Sequence, residues 1–116
     1  MTVITLFTGK NGVLKKCKAN GHADFSKKGS DIVCSAVTIL LRTALKTLSQ
    51  SENVILNTAP SSRGSLAFSV DLKEGKTYSM ETQIKLKTIA DFLREGFVSL
   101  QKEFPDNVQF SENTEV

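Results

Sequence analysis

Ser30-Asp31-Ile32-Val33-Cys34-Ser35-Ala36-Val37-Thr38-Ile39-Leu40-Leu41-Arg42-Thr43-Ala44-Leu45-Lys46-Thr47-Leu48-Ser49 is the stretch that decides the fold. Val33, Val37, Leu40, Leu41, Ala44, Leu45 and Leu48 recur at threes and fours, the period of an amphipathic helix, while Arg42 and Lys46 mark a wet side. Ser30 or Asp31 supplies the N-cap. Ile32, Ala36 and Ile39 widen the apolar surface past one stripe. The expectation is a helix buried on more than one side, as the central element of the fold or part of a dimer contact.

On the N-terminal side, Thr2–Phe7 alternates apolar and β-branched polar residues and predicts a strand. Thr8-Gly9-Lys10-Asn11-Gly12 predicts a turn, Asn-Gly being a strong hairpin signal. Val13–Ala19 is the second strand, with imperfect alternation and Cys17 on its less charged face. On the C-terminal side, Asn53–Thr58 and Leu66–Leu72 predict strands flanking a polar Pro/Gly/Ser loop, 59–65. A long helix follows from about Ser79 to Phe104, with Leu86, Ile89, Ala90, Leu93, Phe97, Leu100 and Phe104 as its core stripe and Pro105 as its stop. Val108–Phe110 predicts a short last strand before a polar, frayed tail, Ser111–Val116. The order ββαββαβ argues a single α+β domain over residues 1–116. It is a two-layer sandwich, a mostly antiparallel sheet with two helices packed on one face.

Composition excludes several classes. The 116 residues are 40% hydrophobic and 23% charged, enough for one core without staples. No apolar run approaches the ~20 residues of a membrane span. The first residues lack a basic flank and a small-residue cleavage site, so a cytoplasmic location is the expectation. Two cysteines and one histidine without metal-ligand spacing argue against a zinc site, and no cofactor or metal is expected. Net charge is +3, but the lysines are scattered, with no Trp and one Tyr to accompany them. Direct nucleic-acid binding is therefore not expected.

The chemistry-bearing pair is His22 and Cys34, twelve residues apart. Gly21 and Gly29 bracket the polar loop between them, and Ser30-Asp31 opens the helix. Cys34 is placed in a helix's first turn, where open backbone N–H groups and the dipole favour a thiolate. An imidazole and a thiol are the minimum parts of a cysteine nucleophile. N–H groups near Cys34 and Ser35 are candidate oxyanion donors. Asp31 caps the helix or orients His22, and either job is open. Gly21 and Gly29 offer positive φ or hinges, and Ser35 and Thr38 offer packing or hydrogen bonds back to the helix. Cys17, mid-strand with no base nearby, reads as packing.

Gly21-His22-Ala23, then Gly29-Ser30-Asp31-Ile32-Val33-Cys34-Ser35-Ala36-Val37, resembles the ribosomal-processing cysteine protease (Prp) family, as does the whole chain through Phe104-Pro105. The family's pattern is Gly-His-Ala, a variable loop, then Gly-x-Asp-Ile-Val-Cys-x-Ala-Val and a hydroxyl residue. That resemblance implies a cysteine endopeptidase that removes a short N-terminal extension from the precursor of large-subunit ribosomal protein number twenty-seven. It makes Cys34 and His22 the catalytic pair and aligns Asp31 with the family's aspartate. Thr38 stands where the family usually has Ser, keeping the hydroxyl and adding a methyl.

Two rival readings come from other classes. One is a non-catalytic ribosome-associated binding module, suggested by a pI of about 9.0. The other is a redox-sensing thiol, which lacks a resolving cysteine nearby in sequence. Apolar surface on both helices beyond what one sheet face covers predicts a homodimer.

Overall fold

The structure, a computed structural model, describes residues 1–21, 30–58 and 65–115. Among these residues β1 (Thr2–Thr8), β2 (Leu14–Gly21), α1 (Ser30–Leu48), β3 (Val54–Thr58), β4 (Ser65–Leu72), α2 (Met80–Glu103) and β5 (Val108–Thr114) follow in the predicted order. They form one sheet, β3-β4-β2-β1-β5, in which only β1 and β5 run parallel. The fold is α+β.

The first hairpin turns at Gly9–Gly12, closed by Gly9 N–H to Val13 O at 2.8 Å and Gly12 N–H to Gly9 O at 3.0 Å. Gly12 has φ +79°, the left-handed region that glycine enters without strain. The imperfect alternation of β2 has a physical cause. Phe7 pairs with Lys16 but Thr8 pairs with Leu14, so Lys15 is an extra residue in a β-bulge. The bulge resets the phase and lets Leu14 and Cys17 both point inward, each buried.

One hydrophobic cluster joins the two layers. Ile4, Leu6, Cys17, Ala19, Phe68 and Val70 from the sheet meet Val33, Val37 and Leu41 of α1 and Leu86, Leu93 and Phe97 of α2. The alternate strand residues Lys16, Lys18 and Ser69 lie on the opposite face, which neither helix covers. α2 is capped at both ends. Ser79 Oγ accepts the Thr82 N–H at 3.1 Å, and Phe104 N–H bonds Leu100 O at the other end.

Two expectations change. The polar tail is not frayed over Ser111–Thr114: β5 runs the full length of β1, from Thr2↔Val108 to Thr8↔Thr114. Main-chain hydrogen bonds along β1's open edge need no apolar side chains, so hydropathy missed them. Arg94 of α2 also clasps Glu112, Nη2–Oε1 at 2.6 Å and Nε–Oε2 at 2.7 Å. Second, α1 is not enclosed. Ile32 is 59% and Ile39 63% exposed, on an outward stripe with Ser35, Arg42 and Lys46. Its apolar width reflects surface left uncovered within the chain.

Candidate active site

β2 runs out at Gly21 beside the start of β4, since Asn20 pairs with Ser65. His22, Gly29 and the side chain of Asp31 lie outside the described residues, as does most of the predicted Pro/Gly/Ser loop. The observed geometry therefore centres on Cys34 and on Gly21, the residue that leads into His22.

Cys34 is the fifth residue of α1, at the start of its second turn rather than in the first. Its inward neighbours Val33 and Val37 are buried, and the thiol-bearing residue itself is half-buried on the flank of the helix. A helix beginning at Ser30 commits the N–H groups of Cys34 and Ser35 to the carbonyls four residues back. They are not free to hold an oxyanion. The open donors of this helix end belong to the residues ahead of Cys34.

Thr38 lies one turn on, and its Oγ1 donates to the Cys34 carbonyl at 2.7 Å. That is the back-bond common for hydroxyl residues in helices, as expected. The hydroxyl proton is thereby directed to backbone, and Ser35 is exposed beside it.

Gly21 has no positive φ. Its requirement is space, since a Cβ there would sit 2.6 Å from Thr2 Oγ1 and 3.0 Å from Thr2 Cα. Only glycine lets β2 finish flush against β1 in this register. Composition and spacing could not show this, because the clash depends on the Thr2↔Gly21 register.

The second thiol behaves oppositely. Cys17 is wholly buried between Leu6 and Phe68 in the sheet register, and burial pushes its pKa up to about 12. It packs as a small apolar residue. Neither cysteine is in a disulfide. Among the described residues, no group of three or more His, Cys, Asp or Glu side chains is arranged to hold a metal ion, and no helix is long and apolar enough to cross a membrane.

A sequence model for the family described as cysteine protease Prp matches residues 1–109. The chain belongs to the cysteine protease Prp family. It is thus an enzyme of the thiol peptidase class, and of its two cysteines only Cys34 is not sealed in the core. Solved structures share the fold. SMU.848 from Streptococcus mutans is 22% identical with TM-score 0.71, over 99% of this chain and 96% of that one. The ribosomal processing protease Prp from S. aureus with a substrate peptide is 13% identical with TM-score 0.74, over 97% and 100%. The same protease with a covalently linked product peptide is 17% identical with TM-score 0.69, over 97% and 100%. No curated protein matches the chain in sequence.

Proposed function

We propose that this Prp-family protease removes a short N-terminal extension from the precursor of large-subunit ribosomal protein number twenty-seven, with Cys34 as nucleophile and His22 as its acid–base partner. The carrying observation is the contrast between half-buried Cys34 at the N-terminal end of α1 and core-sealed Cys17, in a chain of this family. The S. aureus relative was solved with a substrate peptide and with a covalently linked product, which suits a covalent route.

In this reading the Cys34 thiolate attacks the scissile carbonyl, forming an S–C bond. The C–N bond then breaks as His22 imidazolium protonates the departing amine. The N-terminal extension remains as a thioester on Cys34. Water, deprotonated by His22, adds to the thioester carbonyl, and the C–S bond breaks to free the carboxylate and restore the thiolate. Oxyanion donors come from the N–H groups ahead of Cys34. Asp31 is already the second residue of α1, past the cap position, and so serves to orient His22; Gly21 and Gly29 set the path of the His22 segment, and Ser35 and Thr38 support the helix around Cys34. The enzyme works in the cytoplasm as a homodimer, with Ile39 and Phe92, 63% and 54% exposed, as apolar contact surface.

Incubation with a precursor peptide tests the reading. Wild type should give a single cut, and Cys34→Ala and His22→Ala should give none. Undiminished cleavage by either variant would remove that residue from the mechanism.

A further inference from the structure

A depression on the outer surface, between the C-terminal half of α1 and the start of α2, is lined by Arg42, Thr43, Lys46, Thr47, Gln50 and Lys85. It holds three cations, two hydroxyls and an amide, and no carboxylate. The two helices run antiparallel, since Leu40 abuts Gly96 while Lys85 faces the end of α1. Packing therefore brings Lys85 beside residues far from it in sequence, which is why the basic residues read as scattered along the chain.

The arrangement works against the isolated protein. Arg42 and Lys46 are like charges four residues apart on one helix, which disfavours the helix, and Lys85 adds a third cation. Lys46 has a local reason, because it lies in the last turn and offsets the carbonyl end of α1. Lys85 follows Glu81 by four residues, a spacing that favours the helix, whereas Arg42 has no such reason. Among the described residues, the ion pairs are those of Arg94 with Asp91 and Glu112, and none involves these three cations.

We infer that this cleft binds the phosphodiester backbone of RNA, holding the enzyme on an RNA-bearing particle while Cys34 acts at the other end of α1. Guanidinium and ammonium groups take phosphate oxygens, and threonine and glutamine side chains add neutral hydrogen bonds without reading sequence. The inference extends the protease reading but stands on the charge of the cleft alone. Neither Cys34 nor His22 is needed for it.

The test is anisotropy of a labelled oligouridylate titrated with the full chain at several salt concentrations. Wild type should bind with a log–log salt slope of about −2, three contacts at about 0.7 each. Arg42→Glu with Lys46→Glu should weaken binding at least about tenfold and lose about 0.7 of slope per charge removed. Lys76→Glu with Lys102→Glu, the same charge change outside the cleft, should cost far less. Cys34→Ala should bind as wild type does, and the cleft variants should still cut a free precursor peptide. If the glutamate pair lowers thermal stability, Arg42→Gln with Lys46→Gln decides instead. The inference is overturned by absence of binding, by equal loss in the control pair, or by polyglutamate displacing the RNA as well as unlabelled oligouridylate does.

Discussion

Arg94 of α2 meets Glu112 of β5 side-on, Nη2 and Nε donating to the two carboxylate oxygens at 2.6 and 2.7 Å, with Asp91 at 2.7 Å on the remaining nitrogen. The hydrogen bonds from Arg94 hold the Glu112 carboxyl below its ordinary pKa. A carboxylate with a lowered folded pKa stabilises fully above its unfolded value, about 4.3, and loses that contribution as pH falls through the folded one. Glu112→Gln should therefore cost about 1 kcal/mol at neutral pH, a bidentate pair at the upper end of exposed ion pairs. The gap to wild type should close in thermal melts taken well below the carboxylate range. A gap that persists unchanged in acid would mean the pair does not fasten β5.

The two thiols should differ in reactivity. Native protein treated with a small alkylator should take one label, on Cys34, while Cys17 reacts only after unfolding, because core burial raises its pKa to about 12. Peptide mapping of the labelled protein reads the outcome directly. Equal labelling of both would contradict the burial contrast.

Gly21→Ala should disturb the site from a distance. The added methyl meets Thr2, including its backbone, and the overlap should cost about 1–3 kcal/mol. It should also lower turnover by shifting the segment that carries His22. Gly21→Ala combined with Thr2→Gly removes the nearest side-chain atoms and should recover part of both losses; thermal melts and cleavage rates measure them.

Thr38→Ser should keep cleavage close to wild type, because the hydroxyl is engaged with the Cys34 carbonyl and serine preserves that bond. Thr38→Val keeps the shape and removes the bond, and should cost about 1 kcal/mol of stability. A large rate loss in Thr38→Ser would give the methyl a role at the site that the back-bond does not explain.

Ile39→Asp should leave the monomer fold intact, since the side chain is exposed, and should shift the oligomer toward monomer in sedimentation equilibrium. A wild-type protein that is already monomeric would instead leave the apolar stripe of α1 to another partner.

Much of this was legible in residue order. Periodicity placed both helices within a residue or two, since Leu86, Leu93 and Phe97 had to face one core. The fold class followed from the alternation of elements. What escaped depends on register and packing. The bulge at Lys15 broke the alternation of β2, β5 is held by main chain and by Arg94, and the need for glycine at 21 appears only once Thr2 lies opposite. For the candidate site, the motif singled out Cys34 and the mid-strand position of Cys17 read as packing, which its burial bears out, while the turn of α1 that carries Cys34 required the observed start at Ser30. Ile32 and Ile39 continue the helix's apolar pattern, and the pattern alone does not say whether another surface covers them.

The most direct test is intact-mass analysis of an acid-quenched reaction with the precursor. The account predicts wild-type chain carrying the N-terminal extension as an acyl group, mapped to Cys34 and absent from Cys34→Ala, which should release no mature product. Mature product formed by Cys34→Ala at the wild-type rate would contradict it.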